Sequence, residues 1–195
     1  AHNTLFGTNN VENLTVADYE NLNLDANGPG VVILKNDAII ENAGSAITTK
    51  KRASGGDSNY YGGIVYAENS TFANNRRAVE FMRYAPQNYS QFRNCSFTSD
   101  EELPKPYVTM WDTHGITFDA CDFVGTGGGS DYGIYSIDAG YNIAKNNSFT
   151  DFTIGISATS GGTLTDLNIG QAEATEYNAA TANQFSNCVI GVYVA

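Results

Sequence analysis

Two aspartates recur at matching places in the chain. Asp112 ends the run Val108-Thr-Met-Trp-Asp112, and Asp138 ends Ile134-Tyr-Ser-Ile-Asp138. Aligned with them are Arg83, after Val79-Glu-Phe-Met, and Ser160, after Ile156-Ser-Ala-Thr. His114 stands two residues beyond Asp112, and Trp111 and Tyr135 lie beside the pair. If successive copies stack as layers, the carboxylates come to about 5 Å, the separation used in glycoside hydrolysis with retention. Like charges that close keep one carboxyl protonated, as a general acid requires. Asp112 and Asp138 would then be acid and base or nucleophile, with Arg83 and His114 in support. Trp111, Tyr135 and Tyr84 would offer rings for a sugar to stack on. The competing reading is structural: at a strand-to-turn boundary, Asp bonds nearby backbone N–H groups.

Either reading needs a scaffold that repeats. A Phe follows a polar turn again and again: Asn69-Ser-Thr-Phe72, Asn94-Cys-Ser-Phe97, Ala120-Cys-Asp-Phe123, Asn147-Ser-Phe149 and Asn183-Gln-Phe185. The intervals are 25, 26, 26 and 36 residues. After each Phe comes a short apolar run, holding Val79, Val108, Ile134, Ile156 and Val192 in turn. Before three of them lies another, at Gly63–Tyr66, Gly115–Phe118 and Tyr141–Ile143, and a weaker copy spans Asp37 to Thr48. A unit of two or three such strands has one apolar side and cannot bury it alone. Stacked units bury a continuous core. Repeats of about 25 residues without 3.6-residue periodicity predict an all-β fold, a parallel β-helix with roughly 25 residues per rung. The Phe residues and the aliphatic residues form inward columns, and Asn69, Asn74, Asn94 and Asn187 sit at corners, where Asn tolerates left-handed backbone. Insertions at Lys50–Tyr60, Ser99–Pro106, Gly125–Asp131 and Gly170–Ala182 interrupt the period. No domain boundary is visible, so residues 1–195 read as one domain.

Composition agrees. The 195 residues include 20 Gly and 22 Asn, poor helix formers and good turn formers. A net charge of −11 without a basic run argues against a nucleic-acid partner. No run of 18 apolar residues spans a membrane. At 42% hydrophobic the chain is too apolar for an acidic disordered segment. The ends read as a strand and a leaderless start, so we expect a piece of a longer secreted or cell-surface chain. Bare strands at such ends would favour end-to-end self-association.

Cys95, Cys121 and Cys188 are too few for a disulfide framework and lack metal-ligand spacing. Cys95 and Cys121 share a rung position and read either as buried thiols or as a bridge. No motif calls for a cofactor. A structural calcium ion would draw on Asp119, Asp122 and Asp131 around Gly127–Gly129, or on Asp57 after Gly55-Gly56. Several Asn-Xaa-Ser/Thr matches, such as Asn69 and Asn94, are expected by chance in so Asn-rich a chain.

The short Gly-Ile strands, the Asn-Xaa-Phe turns and the rung length resemble the right-handed parallel β-helix of the pectate-lyase-like superfamily. The stretches Val108–Phe123 and Gly133–Tyr141 look more like β-helix segments of large secreted bacterial surface proteins exported by type IX secretion. The resemblance covers roughly residues 30–195 and implies fold more than activity, since the superfamily holds lyases, hydrolases, adhesins and inert modules. A lyase would need acidic calcium ligands and a basic proton acceptor, and only Arg83 falls near the aspartates. The expected role is therefore a non-catalytic structural or adhesive module binding glycan or a surface protein. A carbohydrate-active enzyme is the alternative.

Overall fold

A computed structural model of the chain describes residues 31–50, 63–82, 89–100, 106–127, 131–162, 166–170 and 180–195. Among these residues eighteen short strands, labelled β1 to β18 in chain order, form three parallel six-stranded sheets. The first holds β1 (Val31–Leu34), β4 (Ile64–Glu68), β7 (Gln91–Arg93), β10 (His114–Asp119), β13 (Gly140–Ile143) and β16 (Leu167–Ile169). The second holds β2 (Ile39–Glu41), β5 (Thr71–Ala73), β8 (Ser96–Thr98), β11 (Asp122–Val124), β14 (Ser148–Thr150) and β17 (Gln184–Ser186). The third holds β3 (Ile47–Lys50), β6 (Val79–Met82), β9 (Val108–Trp111), β12 (Tyr132–Ile137), β15 (Ile154–Thr159) and β18 (Ile190–Val194). Each turn of the chain gives one strand to each sheet, and every pairing joins strands three apart in sequence. This is a parallel β-helix of six rungs, without a helix among the described residues.

The rungs are less even than a period of about 25 implies. Register partners in the second sheet run Ile40, Phe72, Phe97, Phe123, Phe149 and Phe185. Their offsets are 32, 25, 26, 26 and 36 residues. The sheets fix only the strands, so a corner takes extra residues without disturbing the pairing.

Three-residue strands decide the core. In Ser96-Phe97-Thr98 and Ser148-Phe149-Thr150 only the middle side chain points inward and is buried. One large flat residue per rung fills that space best. The five Phe rings stack, with centroids 4.9, 4.5, 4.5 and 5.0 Å apart along the column and planes within 8°. Phe92 and Phe118 form a second stack at 5.0 Å on the first sheet. Burying each such ring contributes about 1.5–3 kcal/mol. The rings also explain glycine at the start of β12 and β15. A Cβ on Gly133 would lie 2.7 Å from the Gly155 carbonyl and 2.9 Å from the Phe149 ring.

The corners are columns of left-handed residues. Asp37, Asn69, Asn94, Ala120 and Asn146 precede second-sheet strands with φ between 48° and 61°. Asn42, Asn74, Asp151 and Asn187 follow them with φ between 52° and 61°. Asn and Asp accept this backbone most readily after Gly. Amides also bridge rungs: Asn94 donates to Asn69, and Asn187 to the Asp151 carboxylate at 3.1 Å.

Ser70, Cys95, Cys121 and Asn147 hold one buried position, each donating to the carbonyl two residues back. All three cysteines are free thiols. The interaction with Cys121 lowers the Cys95 thiol, while burial pushes that of Cys121 well up.

Candidate functional site

In the third sheet β6 and β9 alternate strictly, and β12 does so from Ile134 onward. Val79, Val108 and Ile134 are fully buried, and their neighbours Glu80, Thr109 and Tyr135 point outward in one row. Met82, Trp111 and Ile137 form the next outward row. These side chains line an open hollow of about 340 Å³, completed by Arg77, Pro106, Met110 and Tyr132. Trp111 is 39% exposed. Tyr132 and Tyr135 meet edge to face, 5.9 Å between centroids. Arg77 forms an ion pair with Glu80 three residues on, and Glu80 also accepts the Thr48 hydroxyl at 3.4 Å. The Thr109 hydroxyl is covered by its neighbours and has no hydrogen-bond partner among the described residues.

The aspartates sit at the end of this face. Asp112 follows β9 and Asp138 follows β12, on neighbouring rungs, with φ of 51° and 49°. The Asp112 N–H donates to the Ile137 carbonyl at 2.9 Å, and the Asp138 N–H to the Thr159 carbonyl at 3.0 Å. The Asp138 carboxylate accepts the Gly161 N–H at 2.7 Å and the Ser160 hydroxyl at 3.2 Å, both from the following rung. The Asp112 side chain is exposed. His114 lies across the corner, on the first sheet, in register with Gly140. A Cβ on Gly140 would fall 2.7 Å from the His114 Nδ1, so the imidazole packs over that backbone. Arg83 and Tyr84 lie outside the described residues.

The calcium candidates fall at two corners. Asp119 ends β10 and Asp122 opens β11, where it accepts the Ser148 hydroxyl at 2.7 Å. Asp131 precedes β12 and accepts the Thr126 hydroxyl at 2.8 Å. Among the described residues no three His, Cys, Asp or Glu side chains gather to hold an ion. Asp57, Gly128 and Gly129 lie outside those residues.

Trp111 and Tyr135 are thus brought to one hollow. Arg77, Glu80 and Tyr132 share it without having stood out in the sequence. The available signal was the Arg77–Glu80 spacing within the same repeat as the outward Glu80 row. On the last rung Val189, Ile190, Tyr193 and Val194 are exposed. No helix among the described residues is long and apolar enough to cross a membrane. Compared with protein-family models, curated proteins and solved structures, the chain matches none.

Proposed function

We propose that the chain is a non-catalytic β-helical module of a secreted or cell-surface protein that binds glycan on the outer face of its third sheet. The observation that carries this reading is the aromatic hollow around Trp111, Tyr132 and Tyr135 beside an acid, Asp138, whose carboxylate bonds the backbone of the next rung. An acid tied to an N–H is a corner fastener first. Flat rings on a rigid sheet, by contrast, offer a fixed stacking surface with little ordering cost on binding. The likeness to β-helix segments of type IX secretion cargo supports the secreted setting. Binding to a glycan array, with no release of reducing ends from the glycans bound, is the expected result. Cleavage that disappears in both Asp112→Asn and Asp138→Asn would replace this reading with a carbohydrate-active enzyme.

A further inference from the structure

We infer that Cys95 and Cys121 close as a disulfide between adjacent rungs when the chain folds in contact with a disulfide oxidant. The register sets their distance. Ser96 pairs with Asp122, so the cysteines just before them stand opposite one another. The Asp122 N–H donates to the Cys95 carbonyl at 2.9 Å, which holds the two backbones together at that point. Neighbouring parallel strands lie about 4.8 Å apart, inside the range of about 4.4–6.8 Å between Cα atoms that a disulfide spans. Both side chains are buried, 2% and 0% exposed. The Cys121 thiol already leans toward the rung of Cys95. It donates to the Phe92 carbonyl at 3.3 Å, and Phe92 belongs to that rung. The two thiols also interact with one another, which lowers that of Cys95.

The corner tolerates the change. Bridging removes the weak S–H donation to the Arg93 and Asp119 carbonyls. Those carbonyls still accept the N–H groups of Asn69 and Asn94, at 3.0 and 2.9 Å. The Cys121 N–H bonds to the Asn147 Oδ1 at 2.9 Å, and a side chain can follow a small shift of the backbone. The pairing is also unambiguous. Ser70 and Asn147 hold the same buried position on the rungs before and after the pair. The third cysteine, Cys188, follows β17, at the opposite corner and two rungs beyond Cys121.

The oxidant is a small-molecule disulfide such as oxidised glutathione. The thiolate of one cysteine attacks a sulfur of that disulfide, forms a mixed disulfide and expels one small thiolate. The thiolate of the second cysteine attacks the sulfur of the first and expels the other. Two electrons pass from the cysteines to the oxidant, and their two protons end on the released thiols. The folded corner is closed to solvent, so the exchange takes place before the rungs close, and protein folded under reduction keeps its three thiols.

The test refolds Cys188→Ser from denaturant, once with excess reductant and once in a mixture of oxidised and reduced glutathione. Oxidative refolding is expected to leave no thiol to label in denaturant. Mass spectrometry should find one pair of peptides joined through Cys95 and Cys121. The bridged form should melt about 5–10 °C above the reduced form, because the closure spans 26 residues of the unfolded chain. The double variant Cys95→Ser, Cys188→Ser puts serine where Ser70 already stands in the column, and it should melt alike after either refolding. Two labelled thiols after oxidative refolding, or glutathione retained on either cysteine, overturns the inference. So does a bridged form that melts no higher than the reduced one, or a gain that the double variant shares.

Discussion

Asp138 and Gly161 are joined across one rung by an N–H···O bond of 2.7 Å. A Cβ at Gly161 would sit 2.9 Å from the other Asp138 oxygen, so the carboxylate would have to turn aside to admit a side chain there. The bond is charge-assisted, and it fixes a corner whose backbone is left-handed. Removing it by Asp138→Ala also puts alanine at φ 49°. The expected cost is about 2 kcal/mol, from the lost bond and the strained backbone together. Asp138→Asn keeps an acceptor oxygen and tolerates the backbone, so it should cost under about 1 kcal/mol. Urea melts of the two variants check this, and no loss in either would show that neither the bond nor the backbone matters.

The Phe column gives a position-dependent prediction. Phe123 is fully buried between Phe97 and Phe149 at 4.5 Å on each side. Phe123→Ala should destabilise by about 3–5 kcal/mol. Phe185 belongs to the last rung, stacks on one described ring only, and is partly exposed. Phe185→Ala should cost clearly less. If both lose the same amount, the stack does not behave as a chain of neighbour interactions.

The difference between these two positions shows what sequence can carry. The Phe and Val/Ile columns were legible because one large inward residue per strand is a strong constraint and leaves a regular trace. The outward rows Glu80–Thr109–Tyr135 and Met82–Trp111–Ile137 share the register of the inward column beside them. The first-sheet strands β1, β7 and β16 were not legible. Gln91-Phe92-Arg93 has a single apolar residue, and three residues hold too little alternation to mark a strand. The site was half legible for a related reason. Trp111 and Tyr135 are conspicuous residue types, whereas Arg77 and Glu80 look like any surface charges until the fold pairs them.

Ala120 breaks a corner column. It has φ 53° where Asn69, Asn94 and Asn146 have φ of 48° to 54°. Alanine pays about 1–2 kcal/mol in this region. Ala120→Asn should relieve part of that strain and place an amide between those of Asn94 and Asn146. The expected gain is about 1 kcal/mol, or roughly 2–4 °C in melting temperature for a domain of this size. A lower melting temperature would mean that the corner has no room for the amide.

Burial of tyrosine makes the fold sensitive to alkali. Tyr66 is raised from 10.0 to about 12, by burial and then by the nearby Glu68 carboxylate. Tyr107 and Tyr141 are also raised, chiefly by burial. Between the unfolded and folded values the unfolded chain has lost protons that the folded chain keeps. Stability from these groups is therefore whole below about pH 10 and declines as pH rises towards and through 12. Phenolate absorbance should show a late step that coincides with loss of the β signal in circular dichroism. Smooth titration of every tyrosine near pH 10 in the folded protein would contradict this.

The thiols allow a count. Cys95 and Cys121 are 2% and 0% exposed, and Cys188, on the last rung, is partly exposed. A thiolate is the reactive form, and burial holds Cys121 protonated. Cys95 is lowered by the Cys121 hydrogen bond, but it stays shut away from solvent, so its acidity does not make it reactive. A thiol reagent on the native protein should label one cysteine, Cys188, and in denaturant without reductant it should label three. One labelled thiol in denaturant would instead mean that Cys95 and Cys121 had oxidised to a bridge between adjacent rungs. Two or three labelled in the native state would mean that the corner opens to solvent, and the neighbouring Phe97 and Phe123 stack would then be expected to exchange amides early as well.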